Sequence, residues 1–221
     1  MIQVLYEDNH LIAVYKLAGI LVQGDASGEK CLMDEVKEYL KNKYQKPGNV
    51  FLGLIHRLDR NVEGIVLFAK TSKGASRLSE QWREHTVEKI YHAVVSGKPK
   101  KDTDTLMHWL SKNEDTNKTT VYSQPRAGAL PAQLSYTCVA SNGVHSLLKI
   151  TLGTGRSHQI RAQLSFANLP ILGDTKYGGE SGPTNHFIAL AATSLSFNVA
   201  TGKQRKTITV PIPQSWKQYY A

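Results

Sequence analysis

The sequence predicts an α+β fold, a single domain built on an extended, mainly antiparallel, mixed β-sheet flanked by helices and loops. Short runs of β-branched and aromatic residues outnumber segments with helical spacing, and the helical segments are scattered among them instead of alternating regularly. With 221 residues and 41% hydrophobic content, the chain can bury a substantial core, and disorder is excluded as a default. No internal repeat, low-complexity tract or strong composition break divides it.

In chain order, Ile2–Tyr6 and Leu11–Tyr15 are strand-like runs around the turn-forming Glu7-Asp8-Asn9-His10, a hairpin pattern. Lys16–Gly19 turns into Ile20–Val22, and residues 24–28 are polar and loop-like. From Cys31 to Tyr44, Leu32, Val36, Tyr39 and Leu40 approximate one helical face, with acids early and lysines late as the helix dipole prefers, until Pro47-Gly48. The apolar runs Val50–Ile55 and Ile65–Ala69 read as buried strands. Thr71 or Ser72 caps a helix to about His85, with Ala75, Leu78 and Trp82 on its apolar face. Lys89–Val95 is a strand with Lys89, Tyr91 and Ala93 on one side and Ile90 and His92 on the other.

Residues 98–104 and 111–119 read as polar connectors. Leu134–Ala140 and His145–Leu152 form a hairpin through Ser141-Asn142-Gly143. Ser157 is placed to cap a helix to about Ala167 that buries Ile160 and Leu164, with His158, Arg161 and Ser165 on an adjoining stripe. A glycine-rich loop at 174–182 precedes strands at Phe187–Ala192 and Thr207–Val210.

The formal charge is +9, which suits a polyanionic partner because each neutralised phosphate releases counterions. The charge is uneven: residues 1–38 carry three basic and seven acidic side chains, and the remainder 24 basic against 11 acidic. Residues 70–101, with eight basic and three acidic side chains, are the first candidates for phosphate contact, although a solvated helix face has the same composition. Two distant cysteines indicate neither a disulfide framework nor a cysteine metal site, and a reducing cytoplasm is expected. No segment has the roughly 20 apolar residues that span a bilayer, and the amino terminus does not read as a signal peptide.

His56-Arg57-Leu58-Asp59 stands out because it leaves a carboxylate between two apolar runs. Burial raises a carboxyl pKa, whereas a neighbouring guanidinium keeps it ionised. A lone loop aspartate commonly just accepts backbone hydrogen bonds, so the case for chemistry rests on other segments. Those are Lys89-x-Tyr91-x-Ala93-x-Val95 and Gly155-Arg156-Ser157-His158-Gln159-Ile160-Arg161, continued by Pro170-Ile171-Leu172-Gly173-Asp174-x-x-Tyr177-Gly178. With Gly64 after the first motif and the opening Tyr6-Glu7-Asp8 through Lys16-x-x-Gly19, they resemble, in order and spacing, the RNA pseudouridine synthases of the ribosomal large-subunit type A family. The resemblance covers nearly the whole chain.

It implies that residues 1–221 are one catalytic domain with no separate amino-terminal RNA-binding module, converting uridine in structured ribosomal or transfer RNA to pseudouridine. By the same resemblance Asp59 is the catalytic aspartate, Tyr91 the tyrosine beneath the target base, and Arg156 the cation paired with Asp59. Arg57 is similar to the arginine that fills the space left by the extruded nucleotide. RNA contact is further expected from His56, Lys73, Arg77, His158, Gln159 and Arg161. The isomerisation requires no metal and no organic cofactor, and the expected partner is RNA, with a monomeric protein and no membrane. Val62-Glu63 replaces a common Thr-Ser pair, Leu17 a proline, and Gln163, Leu169 and Ala191 histidines. Because Glu63 adds negative charge near Asp59, the alternative is a catalytically weak relative that binds or folds RNA. A metal hydrolase using His56 and Asp59 lacks further ligands at recognisable spacing.

Overall fold

The structure is a computed structural model describing residues 2–184, 186–202 and 204–221. The chain folds as two compact units, one of Met1–Val87 with Ser194–Val210 and one of Glu88–Thr193 with Pro211–Ala221. The architecture is α+β, with antiparallel strand pairing in both units.

The first unit opens with the predicted hairpin, β1 (Gln3–Glu7) and β2 (Leu11–Lys16). Asp8 makes its turn by accepting the backbone N–H groups of His10 and Leu11, each at 2.7 Å. Helix α1 (Leu32–Lys43) buries Leu32, Val36 and Leu40. Its first N–H groups need partners, and the segment read as Ile20–Val22 supplies them: the carbonyls of Leu21 and Val22 accept from Leu32 and Met33.

The run Val50–Ile55 is strand only at β3 (Gly53–Leu54), and Phe51 is exposed. Its apolar residues are not evenly buried, so the run marks neither a full strand nor a uniform core segment. Beyond β3 the chain leaves β4 (Glu63–Ala69) to make the loop that carries Asp59. Strand β4 pairs with β2 from Leu11↔Ala69 to Lys16↔Gly64, and both are buried along nearly their full length. Helix α2 (Ser72–Arg83) is capped by Thr71, whose hydroxyl accepts from the Gly74 N–H. A Cβ at position 74 would lie 2.6 Å from the His10 carbonyl oxygen, so glycine is what lets the helix approach the hairpin.

In the second unit β5 (Glu88–Ser96), β6 (Thr103–Asn113), β7 (Lys118–Tyr122), β8 (Leu130–Ser141) and β9 (His145–Leu152) pair in the order β5-β9-β8-β6-β7. The predicted β8–β9 hairpin is present, turned by Asn142, whose side-chain oxygen accepts from the N–H groups of Val144 and His145. The connector predicted at 98–104 is non-strand as far as Asp102, with β6 beginning at Thr103, whereas the one predicted at 111–119 is reduced to a turn at residues 114–117 within the β6–β7 hairpin. Apart from Leu110 and Thr119, every residue of the two strands is half-exposed or exposed, so no continuously buried face marks them.

Helix α3 (Gln159–Phe166) begins two residues after Ser157, which does not cap it; His158 stands at the N-cap in the left-handed region, at φ 50°. Strand β10 (Leu190–Asn198) starts three residues later than predicted and runs on into the first unit, where Ser194–Asn198 pairs with β11 (Arg205–Thr209). The first unit's core joins Leu11, Ile65, Leu67 and Leu78 to Leu195, Phe197 and Ile208 of these strands. Gln81 locks α2 to β10 by exchanging both amide bonds with the backbone of Asn198, at 2.9 and 2.7 Å. A short helix, α4 (Lys217–Tyr220), ends the chain. Among the described residues no helix is long and apolar enough to cross a membrane.

Candidate active site

Asp59 sits on the loop between β3 and β4, held between Leu58 and Val62, which are 7% and 3% exposed. The Asp59 carbonyl accepts the Val62 N–H at 3.0 Å, closing a turn at the residue. On the other side, the Arg60 carbonyl accepts both the Gly19 N–H at 2.9 Å and the Lys16 ammonium at 2.8 Å. Arg60 returns its Nε–H to the Gly19 carbonyl and its terminal nitrogen to Glu29. The loop therefore has little freedom although it is not strand.

Lys16 is the residue that sequence reasoning missed. It is 0% exposed and donates to three carbonyls, those of Leu17, Ile20 and Arg60, at 3.0, 2.8 and 2.8 Å. Burial lowers its pKa to about 8, against the upward pull of the Asp59 and Glu63 carboxylates. A lysine ending the buried run Leu11–Val14, opposite Gly64, was the available signal.

Glu63 is committed to a partner: its carboxylate accepts the Tyr15 hydroxyl at 2.8 Å. Burial raises its pKa, opposed by the Tyr15 hydrogen bond and the charge of Lys16. Its charge near the aspartate is thus partly offset within the same unit.

Of the other predicted contacts in this unit, Arg57 is exposed and makes no hydrogen bond or ion pair among the described residues. His56 is not offered as a surface cation. Its Nε2 accepts the Leu67 N–H at 3.0 Å and its ring stacks on Trp82, with centroids 4.9 Å apart. An imidazole that accepts at Nε2 is neutral with its proton on Nδ1. Lys73 and Arg77 line a cavity of about 490 Å³, but Glu80 and Glu84 line it as well, so the lysine and arginine are matched in charge.

The second unit carries Tyr91 and Arg156. Tyr91 is on β5 opposite Ile150, 9% exposed, on the predicted side with Ala93. Two residues back on that side, Lys89 is half-buried, its pKa is lowered by burial, and it makes no hydrogen bond or ion pair among the described residues. Its ammonium would lie 3.9 Å from a Cβ built at Gly155, beside Arg156. Sequence reading passed over it, because the burial of a strand lysine is a tertiary property.

Arg156 is positioned through its own backbone and side chain. Its N–H donates to the Gln159 side-chain oxygen at 2.9 Å and its Nε–H to the Pro131 carbonyl at 3.1 Å. Gln159 is 3% exposed; its oxygen also accepts the Thr154 hydroxyl and its amide donates to the Gln133 carbonyl. Both ends of Gln159 are thereby occupied in building the turn. Arg161 is 7% exposed, and Asp174 accepts two of its N–H groups at 2.7 and 2.8 Å. His158, half-buried, pairs its Nδ1 with the Tyr177 hydroxyl at 2.9 Å, and that hydroxyl accepts the Thr119 N–H at 2.7 Å.

Residues 10–166 match the family described as RNA pseudouridylate synthase. The chain belongs to the RNA pseudouridylate synthase family. Relatives include the tRNA pseudouridine synthase C of Pectobacterium carotovorum subsp. carotovorum, 29% identical over 98% of this chain and 61% of that protein. The ribosomal large subunit pseudouridine synthase C of Pasteurella multocida is 35% identical over 80% of this chain and 52% of its own length. The tRNA pseudouridine synthase C of Haemophilus ducreyi is 33% identical over 99% of this chain and 94% of its length. This chain thus spans about half to three-fifths of the first two relatives and nearly all of the third. The solved structure of human RNA pseudouridylate synthase domain containing 4 shares the fold, with a TM-score of 0.80 and 22% identity over 97% of this chain and 90% of that one. The motifs around Asp59, Tyr91 and Gly155–Arg161 fall within the matched residues.

Proposed function

We propose that this chain isomerises specific uridines in structured ribosomal or transfer RNA to pseudouridine, in the cytoplasm and without a metal or organic cofactor. The observation that carries the reading is the fixed Asp59 loop of a pseudouridylate synthase family member: a carboxylate between two buried anchors, with the adjacent carbonyl held by Lys16 and Gly19. In the reaction the N1–C1′ bond of uridine breaks, the uracil turns, and C5 bonds to C1′. C5 loses a proton and N1 gains one, so the product is an isomer of the substrate.

Asp59 acts at the sugar as nucleophile or proton acceptor, a task that needs an ionised carboxylate held in direction. Tyr91 stacks on the uracil and its hydroxyl moves a proton. Arg156 supplies the cation that keeps the carboxylate charged, and its anchored backbone supports that role. The target base must leave its stack, and the exposed Arg57, which makes no hydrogen bond or ion pair among the described residues, suits the space it vacates. The Tyr15 bond to Glu63 supports the catalytic reading over that of a weak RNA-binding relative, because it occupies the charge that motivated the alternative.

The test is to incubate the purified protein with unmodified ribosomal and transfer RNA carrying tritium at uracil C5. Label release is measured and the site mapped by carbodiimide-stop sequencing. Asp59→Asn should abolish release while RNA affinity changes by less than about tenfold, or about 1.4 kcal/mol. Measurable turnover in Asp59→Asn would sink the assignment.

A further inference from the structure

Where α1 ends, an aromatic ring is held at the surface among lysines. Tyr44 is 46% exposed, and the ammonium groups of Lys70, Lys43 and Lys46 lie 4.8, 5.5 and 5.8 Å from its ring centroid. Lys41, one turn back on the helix, is exposed too. Lysines at a helix C-terminus are common because the dipole favours them, but that preference does not place an aromatic ring at their centre.

The ring is fixed from below by Glu7. Its carboxylate accepts the Tyr44 hydroxyl at 2.6 Å, the Lys70 ammonium at 2.6 Å and the Lys43 ammonium at 2.8 Å. Burial pushes the Glu7 pKa up, but the hydrogen bonds from Lys43, Lys70 and Tyr44 prevail and hold it at about 2. The side chain of Glu7 is 9% exposed and that of Lys70 7%, so the anion and one cation lie beneath the surface while Lys41, Lys43 and Lys46 remain outside. Lys43 and Lys70 meet the single Glu7 carboxylate, and the exposed Lys41 and Lys46 add further charge, which leaves the patch positive. A rigid aromatic surface surrounded by ammonium groups is the combination that binds single-stranded nucleic acid, by stacking a base and tracking the backbone.

We propose that the Tyr44 patch, with Lys41, Lys43 and Lys46, is an RNA-docking surface for a single-stranded nucleotide segment of the substrate outside the target uridine. It rests on the RNA reading above and deepens it. The stacked base sits on Tyr44 and the neighbouring phosphates on the exposed lysines.

The experiment uses the full chain and two fluorescent probes, a dodecamer of uridylate and an abasic ribose-phosphate strand of the same length, with anisotropy as the readout. Tyr44→Ala should weaken uridylate binding about fivefold or more and leave the abasic strand unaffected, since only the former stacks. Tyr44→Phe should retain most of the uridylate binding that Tyr44→Ala loses, because it keeps the ring and gives up only the hydroxyl bond to Glu7. Lys41→Gln with Lys46→Gln should weaken both probes and lower the salt slope by about 1.4, roughly 0.7 for each phosphate no longer neutralised.

A photocrosslinking arm with 5-iodouridylate should label the peptide bearing Tyr44, and it reads the parent protein, so it stands even if Tyr44→Ala does not fold. In the tritium assay Tyr44→Ala should raise KM and leave kcat unchanged. Parent-like uridylate binding by Tyr44→Ala, or no crosslink at Tyr44, overturns the patch. A parent that releases no tritium, with the Tyr44 effects intact, overturns the isomerase reading and leaves the patch standing.

Discussion

Replacing Asp174 by asparagine should destabilise the second unit strongly. The Asp174 side chain is 1% exposed and that of Arg161 8%, and they meet through two N–H···O bonds of 2.7 and 2.8 Å. A buried pair of this geometry adds little beyond an apolar replacement, since desolvation offsets most of the attraction, but losing one member leaves a buried charge uncompensated. Asp174→Asn keeps the shape and removes the charge, so the loss is about 3–5 kcal/mol. For a chain of this size each kcal/mol shifts the melting temperature by roughly 2–4 °C, giving a fall of about 6–20 °C.

The assay is thermal unfolding followed by circular dichroism, with Asp174→Leu/Arg161→Met as the control. That double variant removes both charges and should melt higher than Asp174→Asn alone. If Asp174→Asn melts within about 2 °C of the parent, the pair does not anchor the second unit. Catalysis should suffer in parallel, because the Arg161 guanidinium lies 5.2 Å from the Tyr177 ring and Tyr177 holds both His158 and Thr119.

Tyr91→Phe should keep stacking and lose the hydroxyl, lowering kcat by more than it raises KM in the tritium assay; an unchanged kcat would leave Tyr91 a packing residue. Arg156→Lys should retain part of the turnover that Arg156→Gln loses, since the charge stays while the fork geometry goes, and equal single-turnover rates for all three proteins would remove Arg156 from the chemistry. Lys16 titrates near 8 in the folded chain against 10.5 ordinarily, so between those values the unfolded chain binds the extra proton and stability rises with pH. Urea unfolding of the parent should gain about 2 kcal/mol from pH 7.5 to 9.5 relative to Lys16→Met, and parallel curves for the two would refute the buried-lysine account.

Periodicity carried the elements whose burial is one-sided and continuous. The β1–β2 and β8–β9 hairpins and helices α1 and α2 follow directly from apolar spacing and turn residues. Strands β6 and β7 were missed for the opposite reason: all their residues but Leu110 and Thr119 are half-exposed or exposed, and the polar ends at 103–104 and 111–119 read as connectors. The Val50–Ile55 run erred in the other direction, because an apolar stretch can serve a loop as well as a strand. At the candidate site the motif residues were legible, whereas the residues that fix them were not. Lys16 and Gln159 look exposed in sequence, and only tertiary packing makes them 0% and 3% exposed.

Those two side chains solve the same physical problem. A loop that brings a reactive group to a defined place has backbone polar groups without ladder partners, and leaving them buried and unsatisfied costs about 1–3 kcal/mol each. Lys16 meets three such carbonyls around the Asp59 loop, and Gln159 meets the Arg156 N–H, the Thr154 hydroxyl and the Gln133 carbonyl around the second. The chemical difference between them follows from what each loop lacks. The first presents carbonyls alone, which a three-donor ammonium satisfies at the expense of burying a charge, and Asp59 and Glu63 offset that charge. The second presents donors and an acceptor together, which a neutral amide satisfies with one group of each kind. Neither lysine nor glutamine could replace the other, so the type of each anchoring residue is set by the hydrogen-bonding character of the loop it holds.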